Sequence, residues 1–344
     1  MEPGSTINFA IPPTTSSMKI AVTGASGFIG QVLIPLLSAQ GHSLQLLTRQ
    51  QAPLNNNENI VIIHGDLLQK HSLDLLVAGV DVVIHVAAMI SISDVADEYA
   101  FKVNTEGTSL LLAAAQRASV KRFIYVSSMA AFEQAPYDEP MDESRSPATA
   151  QPYSYDASKV IAQAAVLACN SNNFEVIVLA PTAVVGPYDY RPSLMGNAII
   201  NMYKGKMPAL FPGGVDFVDV RDVGAAIVSA ITNGTPGNVY LLSGRWASLK
   251  HLSREVYKTK GKNKTLAILP LWLVFGLLPL VKLWARIIGV PPYYTGAAIY
   301  QVIHSNKKIS CAKATMELGY NPRPFEETIK DEIAWFKQNG FLKE

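Results

Sequence analysis

Tyr155 and Lys159, in the run Tyr155-Asp-Ala-Ser-Lys159, stand four residues apart in a helical pattern and therefore project from one face. That spacing sets a phenol beside an ammonium group. An isolated phenol titrates near ~10 and is a poor base at neutral pH, but a neighbouring cation favours the phenolate and lowers that value. A tyrosine in such a pair becomes a usable general acid or base. Upstream, Phe123-Ile-Tyr-Val-Ser127-Ser128 ends a strand-like run in two hydroxyls. Ser128 is the hydroxyl expected to hydrogen-bond a substrate oxygen, at the carboxyl end of a sheet where open α/β folds bind ligands. The tyrosine–lysine spacing alone recurs by chance on helix surfaces; its weight comes from lying downstream of that strand.

A second constellation is Gly24-Ala-Ser26-Gly27-Phe28-Ile29-Gly30, placed between the strand-like KIAVTG and an amphipathic helical pattern. Glycines there let the backbone turn tightly and approach a pyrophosphate, while the N-H groups and positive end of the next helix stabilise its charge. The spacing is GxxGxxG rather than the GxGxxG of the general dinucleotide fingerprint. Arg49 follows the second strand, where an acidic residue would take the adenosine ribose and a basic one would accommodate a 2'-phosphate, so NADP is favoured over NAD. A solvated arginine is the plainer reading. Asp66, with Leu67 after the third strand, is placed for the adenine edge or for a helix N-cap.

The elements that would hold these groups alternate. Strands are expected at 44–47, 59–63, 80–86, 121–127 and 175–179 after the first, with helices at 28–40, 99–118 and 153–172. Apolar runs such as VVIHVAA and FIYVSS lack period-two alternation, as strands buried on both faces do. This is the signature of an α/β fold, a doubly wound Rossmann-type parallel sheet. Beyond Pro181 the pattern loosens into Pro- and Gly-rich turns and mixed signals, a smaller and mostly helical part expected to shape the substrate pocket. The domains expected are a flexible leader at 1–17, a dinucleotide-binding domain at 18–180, and a substrate-binding part at 181–344 that need not be contiguous.

With 344 residues, 49% of them hydrophobic and 16% charged, the chain can bury a large core. A net charge of +2 gives no footprint for neutralising a phosphate backbone, so nucleic acid is not an expected partner. Two distant cysteines, Cys169 and Cys311, form neither a metal cluster nor a disulfide framework, and suit a reducing compartment such as the cytoplasm. The first 17 residues lack the basic and apolar regions of a secretory signal. One apolar run of 14 residues, Ile268 to Val281 with Pro270 and Pro279 inside it, is shorter than the roughly 20 needed to span a bilayer.

Taken together, the strand-GxxGxxG-helix unit, the hydroxyl pair after the fifth strand and the downstream YxxxK resemble the extended short-chain dehydrogenase/reductase family, over roughly residues 18 to 335. His85-Val86-Ala87-Ala88, Asn104-Thr-Glu-Gly107, Pro181-Thr182-Ala-Val184-Val-Gly186-Pro187 and Val218-Asp-Val-Arg-Asp222 are similar to further segments of that family. The resemblance implies that Val86, Ala87, Ala88, Asn104, Pro181, Thr182 and Val184 join the glycine turn in binding the cofactor. It also implies hydride transfer between C4 of the nicotinamide and a carbon bearing oxygen. Tyr155 would exchange the proton on that oxygen, Lys159 would hold the nicotinamide ribose and depress the phenol's pKa, and Ser128 would orient the carbonyl. No metal is called for, and a homodimer through the helices at 99–118 and 153–172 is implied.

For the substrate, one segment discriminates. Nucleotide-sugar epimerases carry an arginine before the Asp-Phe/Tyr of a late strand, where this sequence has Val215-Asp216-Phe217. The absence of that arginine argues against a nucleotide-sugar unless Arg191, Lys204 or Lys206 substitutes. The apolar run with Leu271, Trp272, Phe275, Leu277 and Leu278 could wall a hydrophobic pocket, lie peripherally on a membrane with Lys282 and Arg286 kept in water, or simply be core. The expectation is an NAD(P)-dependent oxidoreductase acting on an apolar carbonyl or alcohol, of dihydroflavonol or sterol character. The rivals are a nucleotide-sugar epimerase or dehydratase with tightly held NAD, and a non-catalytic NADP-binding sensor.

Overall fold

The computed structural model describes residues 17–49, 58–90, 96–149, 154–288 and 295–343, of which 281–288 by their backbone. In chain order the first half comprises β1 (Lys19–Thr23), α1 (Phe28–Ala39), β2 (Ser43–Thr48), β3 (Ile60–His64), α2 (Lys70–Leu76), β4 (Val82–His85), α3 (Glu98–Arg117), β5 (Arg122–Val126), α4 (Tyr155–Ala168) and β6 (Glu175–Pro181). The second half comprises β7 (Ala183–Val185), α5 (Leu194–Tyr203), β8 (Gly214–Asp219), α6 (Val220–Asn233), β9 (Val239–Leu242), β10 (Arg245–Ser248), α7 (Leu249–Lys258), α8 (Leu271–Ile288), α9 (Gly296–Ile303), α10 (Ala312–Leu318) and α11 (Phe325–Gln338). The six strands expected before residue 180 are present with ends shifted by a few residues. Helix α2 was not anticipated, since its seven residues are too short to display a period. The start expected at Tyr153 lies outside the described residues.

Seven parallel strands form the main sheet in the order β3-β2-β1-β4-β5-β6-β9. Along each central strand, alternate residues enter different cores. Ile20, Val22, Ile84, Ile124 and Ile177 pack beneath α1 and α6, while Ala21, Val83, Phe123, Tyr125 and Val178 pack beneath α2, α3 and α4. This two-sided burial is why the strands read as unbroken apolar runs. The strand order reverses between β1 and β4, and such a switch point opens a crevice at the carboxyl ends of the strands.

Residues after Pro181 do not form a separate layer. Strand β9 closes the sheet against β6, and α6 lies on α1 so closely that a Cβ on Gly224 would stand 3.0 Å from Val32. The remainder builds a three-stranded sheet, β10-β8-β7, and a third core in which α5, α7, α9 and α11 contribute Ile199, Leu252, Ile299 and Phe336.

Candidate active site

The crevice at the switch point is a cavity of about 710 Å³. One end of it is formed by the glycine turn. Gly24 has φ +77°, and a Cβ there would meet the Ala87 backbone nitrogen at 2.6 Å, so neither the turn nor its approach to the strand beside it tolerates a side chain. Gly27 is the N-cap of α1 and supplies no side-chain hydrogen bond, and the first turn of that helix holds no acid. The N-terminal N-H groups and the positive helix end are thus left for an anion entering the cavity, whose wall here is Gly24, Ser26, Gly27, Phe28 and Ile29. A dinucleotide's pyrophosphate fits this cradle. Gly30 is not part of the wall: a Cβ there would lie 2.3 Å from the Gly24 carbonyl oxygen, so this glycine lets helix and turn pack.

Around the turn, Arg49 is exposed at the rim after β2, and Asp66, Leu67, Val86, Ala87 and Ala88 line the wall. The Asp66 carboxylate accepts a hydrogen bond from the Leu68 N-H at 2.9 Å; it caps that turn rather than α2, whose N-cap is Gln69. Pro181, Thr182 and Val184 line the cavity across from α4. Asn104 stands apart from this group. It is buried behind the wall, where it accepts from the Met89 N-H at 2.8 Å and donates to the Met89 carbonyl at 2.9 Å and to the Ser158 hydroxyl at 3.0 Å. Asn104 therefore braces the segment after β4 against α4 and reaches a ligand only through them.

Ser128, Tyr155 and Lys159 meet in the cavity. Helix α4 starts at Tyr155, capped by Ser154, whose hydroxyl accepts from the Ala157 N-H at 3.1 Å. The first turn thus presents Tyr155 and the second Lys159. Of the two serines after β5, Ser127 is buried and its hydroxyl donates to Gln163 at 2.7 Å, whereas Ser128 is half-buried and bonds the Tyr155 side chain. Lys159 is 2% exposed; its Nζ donates to the Val126 carbonyl at 3.1 Å and lies 5.8 Å from the centre of the Tyr155 ring.

Electrostatics here differ from the simple expectation that the ammonium depresses the phenol. Burial pushes the Tyr155 phenol above its ordinary value, opposed by the bond from Ser128, and burial pushes Lys159 down to about 7. Desolvation outweighs the attraction between the two, because the ring and the ammonium are both enclosed by protein. His85, between Thr23 (2.7 Å) and Thr108 (2.9 Å), is brought down to about 3 by burial and then by the Lys159 charge, so it is a neutral spacer under the floor.

The far wall contains residues that local spacing did not single out. Tyr137, Tyr300 and Gln301 of α9, and His304 just after it face the cavity; the Tyr300 and His304 rings stand 4.0 Å apart and Tyr137 lies 5.2 Å from His304. Asn306, just past α9, brings its Nδ2 within 3.0–3.2 Å of the carbonyls of Gln134, Pro136 and Glu139, fastening that loop to the end of α9. Val215 lines the cavity. Arg191 is at the exposed rim, while Lys204 and Lys206 are exposed at the end of α5, away from the wall. None of the described residues of the apolar run 268–280 reaches the cavity, so the pocket-wall expectation for it is corrected. Leu271, Val274 and Leu278 pack on the third core instead.

Comparison with known proteins accords with this geometry. A model of the NAD dependent epimerase/dehydratase family matches residues 20–243. The chain is 29% identical to the sterol demethylase protein B of Methylococcus capsulatus, over 94% of this chain and 100% of that one. It is 28% identical to a putative dihydroflavonol 4-reductase of Synechocystis, over 94% of this chain and 95% of the relative. Among solved structures, that of gox2253 superposes with a TM-score of 0.77 at 32% identity, covering 95% of this chain and 100% of the other.

Proposed function

The chain belongs to the NAD-dependent epimerase/dehydratase family, and on that premise we propose that it is an oxidoreductase interconverting an apolar carbonyl compound and its alcohol. What supports this reading most is the meeting of Ser128, Tyr155 and Lys159 in one cavity with the glycine turn. When bound, the nicotinamide supplies or accepts the hydride. Tyr155, held as a neutral phenol by burial, donates its proton to the substrate oxygen as the carbon is reduced, and recovers it in the opposite direction. Ser128 donates a hydrogen bond to the same oxygen as charge develops on it. Lys159, whose Nζ lies 5.8 Å from the centre of the Tyr155 ring, offers an ammonium to the cofactor ribose hydroxyls.

Substrate class is read from the far wall. Tyr137, Tyr188, Tyr190 and Tyr300, with Val215 in place of an arginine, present rings and aliphatic carbon to whatever lies beside Tyr155. Two relatives are named for sterol and dihydroflavonol chemistry, which agrees with a ring-containing substrate. Arg49, without an acid at the ribose position, is assigned to a 2'-phosphate and hence to NADP over NAD. Arg191 at the rim favours a second reading, a nucleotide-sugar substrate whose diphosphate it would grip. Oxidation of NADPH and NADH by the purified chain is measured with hydrophobic ketones, and conversion of nucleotide-sugars is followed by product analysis, since an epimerase or dehydratase causes no net oxidation of the cofactor. Turnover of the ketones that falls by about 10²- to 10⁴-fold in Tyr155→Phe, with cofactor affinity retained, is expected. Turnover of nucleotide-sugars alone, lost in Arg191→Ala, would replace the first reading by the second.

A further inference from the structure

We propose that the outer face of α8 docks on an anionic lipid surface. The proposal stands on the helix and its flanks, independently of the reaction in the cavity. The helix has two apolar faces. Leu271, Val274 and Leu278, at the i, i+3, i+7 spacing of a single stripe, pack on the third core beside Phe211 and Ile299. The other side carries Trp272, 75% exposed, with Phe275 at 49%, Leu277 at 39% and Leu280 at 62%. Scattered exposed hydrophobics are ordinary, but a tryptophan and a phenylalanine three residues apart on one outward face form a patch that water does not favour.

Charge identifies the occupant. From Val256 to Met316 the sequence has nine Lys or Arg and no Asp or Glu, although the whole chain has 29 basic and 27 acidic residues. Basic charge is thus concentrated on the stretch that includes the exposed apolar face, and the rest of the chain is net acidic. Lys262 and Lys264 are exposed in the loop leading to α8, and the sequence of the helix adds Lys282 and Arg286; Lys258, at the end of α7, is paired with Glu255. A second copy of this chain docked through the same face would bring basic charge against basic charge. A nucleic acid backbone would satisfy the lysines but leave Trp272 and Phe275 in contact with charge. A bilayer surface of anionic headgroups satisfies both, apolar side chains entering the acyl boundary and ammonium groups staying at headgroup level. The helix lies on such a surface rather than crossing it: it has 18 residues interrupted by Pro279, and no helix of the described residues is long and apolar enough to span.

The test is co-sedimentation of the full chain with phosphatidylcholine vesicles, with and without one-third phosphatidylserine, at low and high salt. Binding to the anionic vesicles that weakens in high salt is expected. Trp272→Glu/Phe275→Glu and, separately, Lys262→Glu/Lys264→Glu should each lower binding about tenfold or more while leaving the thermal midpoint and cofactor affinity unchanged, since these side chains are exposed and none of them lines the cavity. Wild-type protein remaining in the supernatant, or a Trp272→Glu/Phe275→Glu protein that pellets as well as wild type, overturns the proposal. So does a dimer, seen by sedimentation velocity, that the same double substitution dissociates, or binding to duplex DNA that survives it.

Discussion

Lys159 is an ammonium enclosed by protein that donates to the Val126 carbonyl and to the Tyr125 hydroxyl at 3.4 Å, and among the described residues no carboxylate pairs with it. Its cost can be followed by pH. Because burial lowers its folded value to about 7, well under the ordinary lysine value, the unfolded chain binds the extra proton between about pH 7 and about pH 10. Stability from this residue therefore rises with pH through that window and is lost as pH falls to about 7. Lys159→Met removes the charge and keeps the volume. The variant should be the more stable protein at pH 6 by urea denaturation, with the difference narrowing steadily towards pH 10; a constant difference across that range contradicts the assigned burial. Turnover should fall at every pH, because the group offered to the cofactor ribose is gone.

Division of labour among the three glycines belongs to the turn and helix that share them. A Cβ at Gly30 would stand 2.3 and 2.5 Å from the carbonyl oxygens of Gly24 and Ala25, backbone atoms that cannot swing away, whereas a Cβ at Gly27 would come no closer than 3.2 Å to the Gly24 oxygen. Gly30→Ala should thus cost about 2 kcal/mol or more of stability, while Gly27→Ala should unfold near the wild-type temperature and lose cofactor affinity. Equal melting temperatures for the two would show that α1 does not need this close approach. The turn was legible in the sequence because its signal is local: three glycines between an apolar run and a helical period. The central strands were legible because burial on both faces leaves unbroken apolar runs. Asn104 shows the limit. Its motif placed it on the cofactor, yet its hydrogen bonds reach Met89 and Ser158, 15 and 54 residues away, and spacing carries no record of such partners.

At the scale of the whole molecule, the second half of the chain completes the first. Helix α6 covers α1 with Ile227 and Ile231 in the same core as Leu33 and Leu37, and Arg122 at the start of β5 donates to the Ala230 and Ile231 carbonyls at the end of α6. A fragment ending at residue 185 would expose that face of α1 and the edge of β6, and is expected to be insoluble or to lack a cooperative thermal transition by circular dichroism; a cooperative, soluble fragment would mean the sheet closes without β9. This return was only partly legible, since β9 is four residues long and its place beside β6 is set by contacts made from some 60 residues away. The far wall was illegible for the same reason, being assembled from the loop near Tyr137 and the end of α9. Asn306 joins those two pieces through three carbonyls, so neither can swing without the other. One side of the entrance is consequently two segments tied at a single amide, so that Asn306→Ala, which cuts the tie, is expected to widen the range of ring sizes turned over without touching the reacting groups.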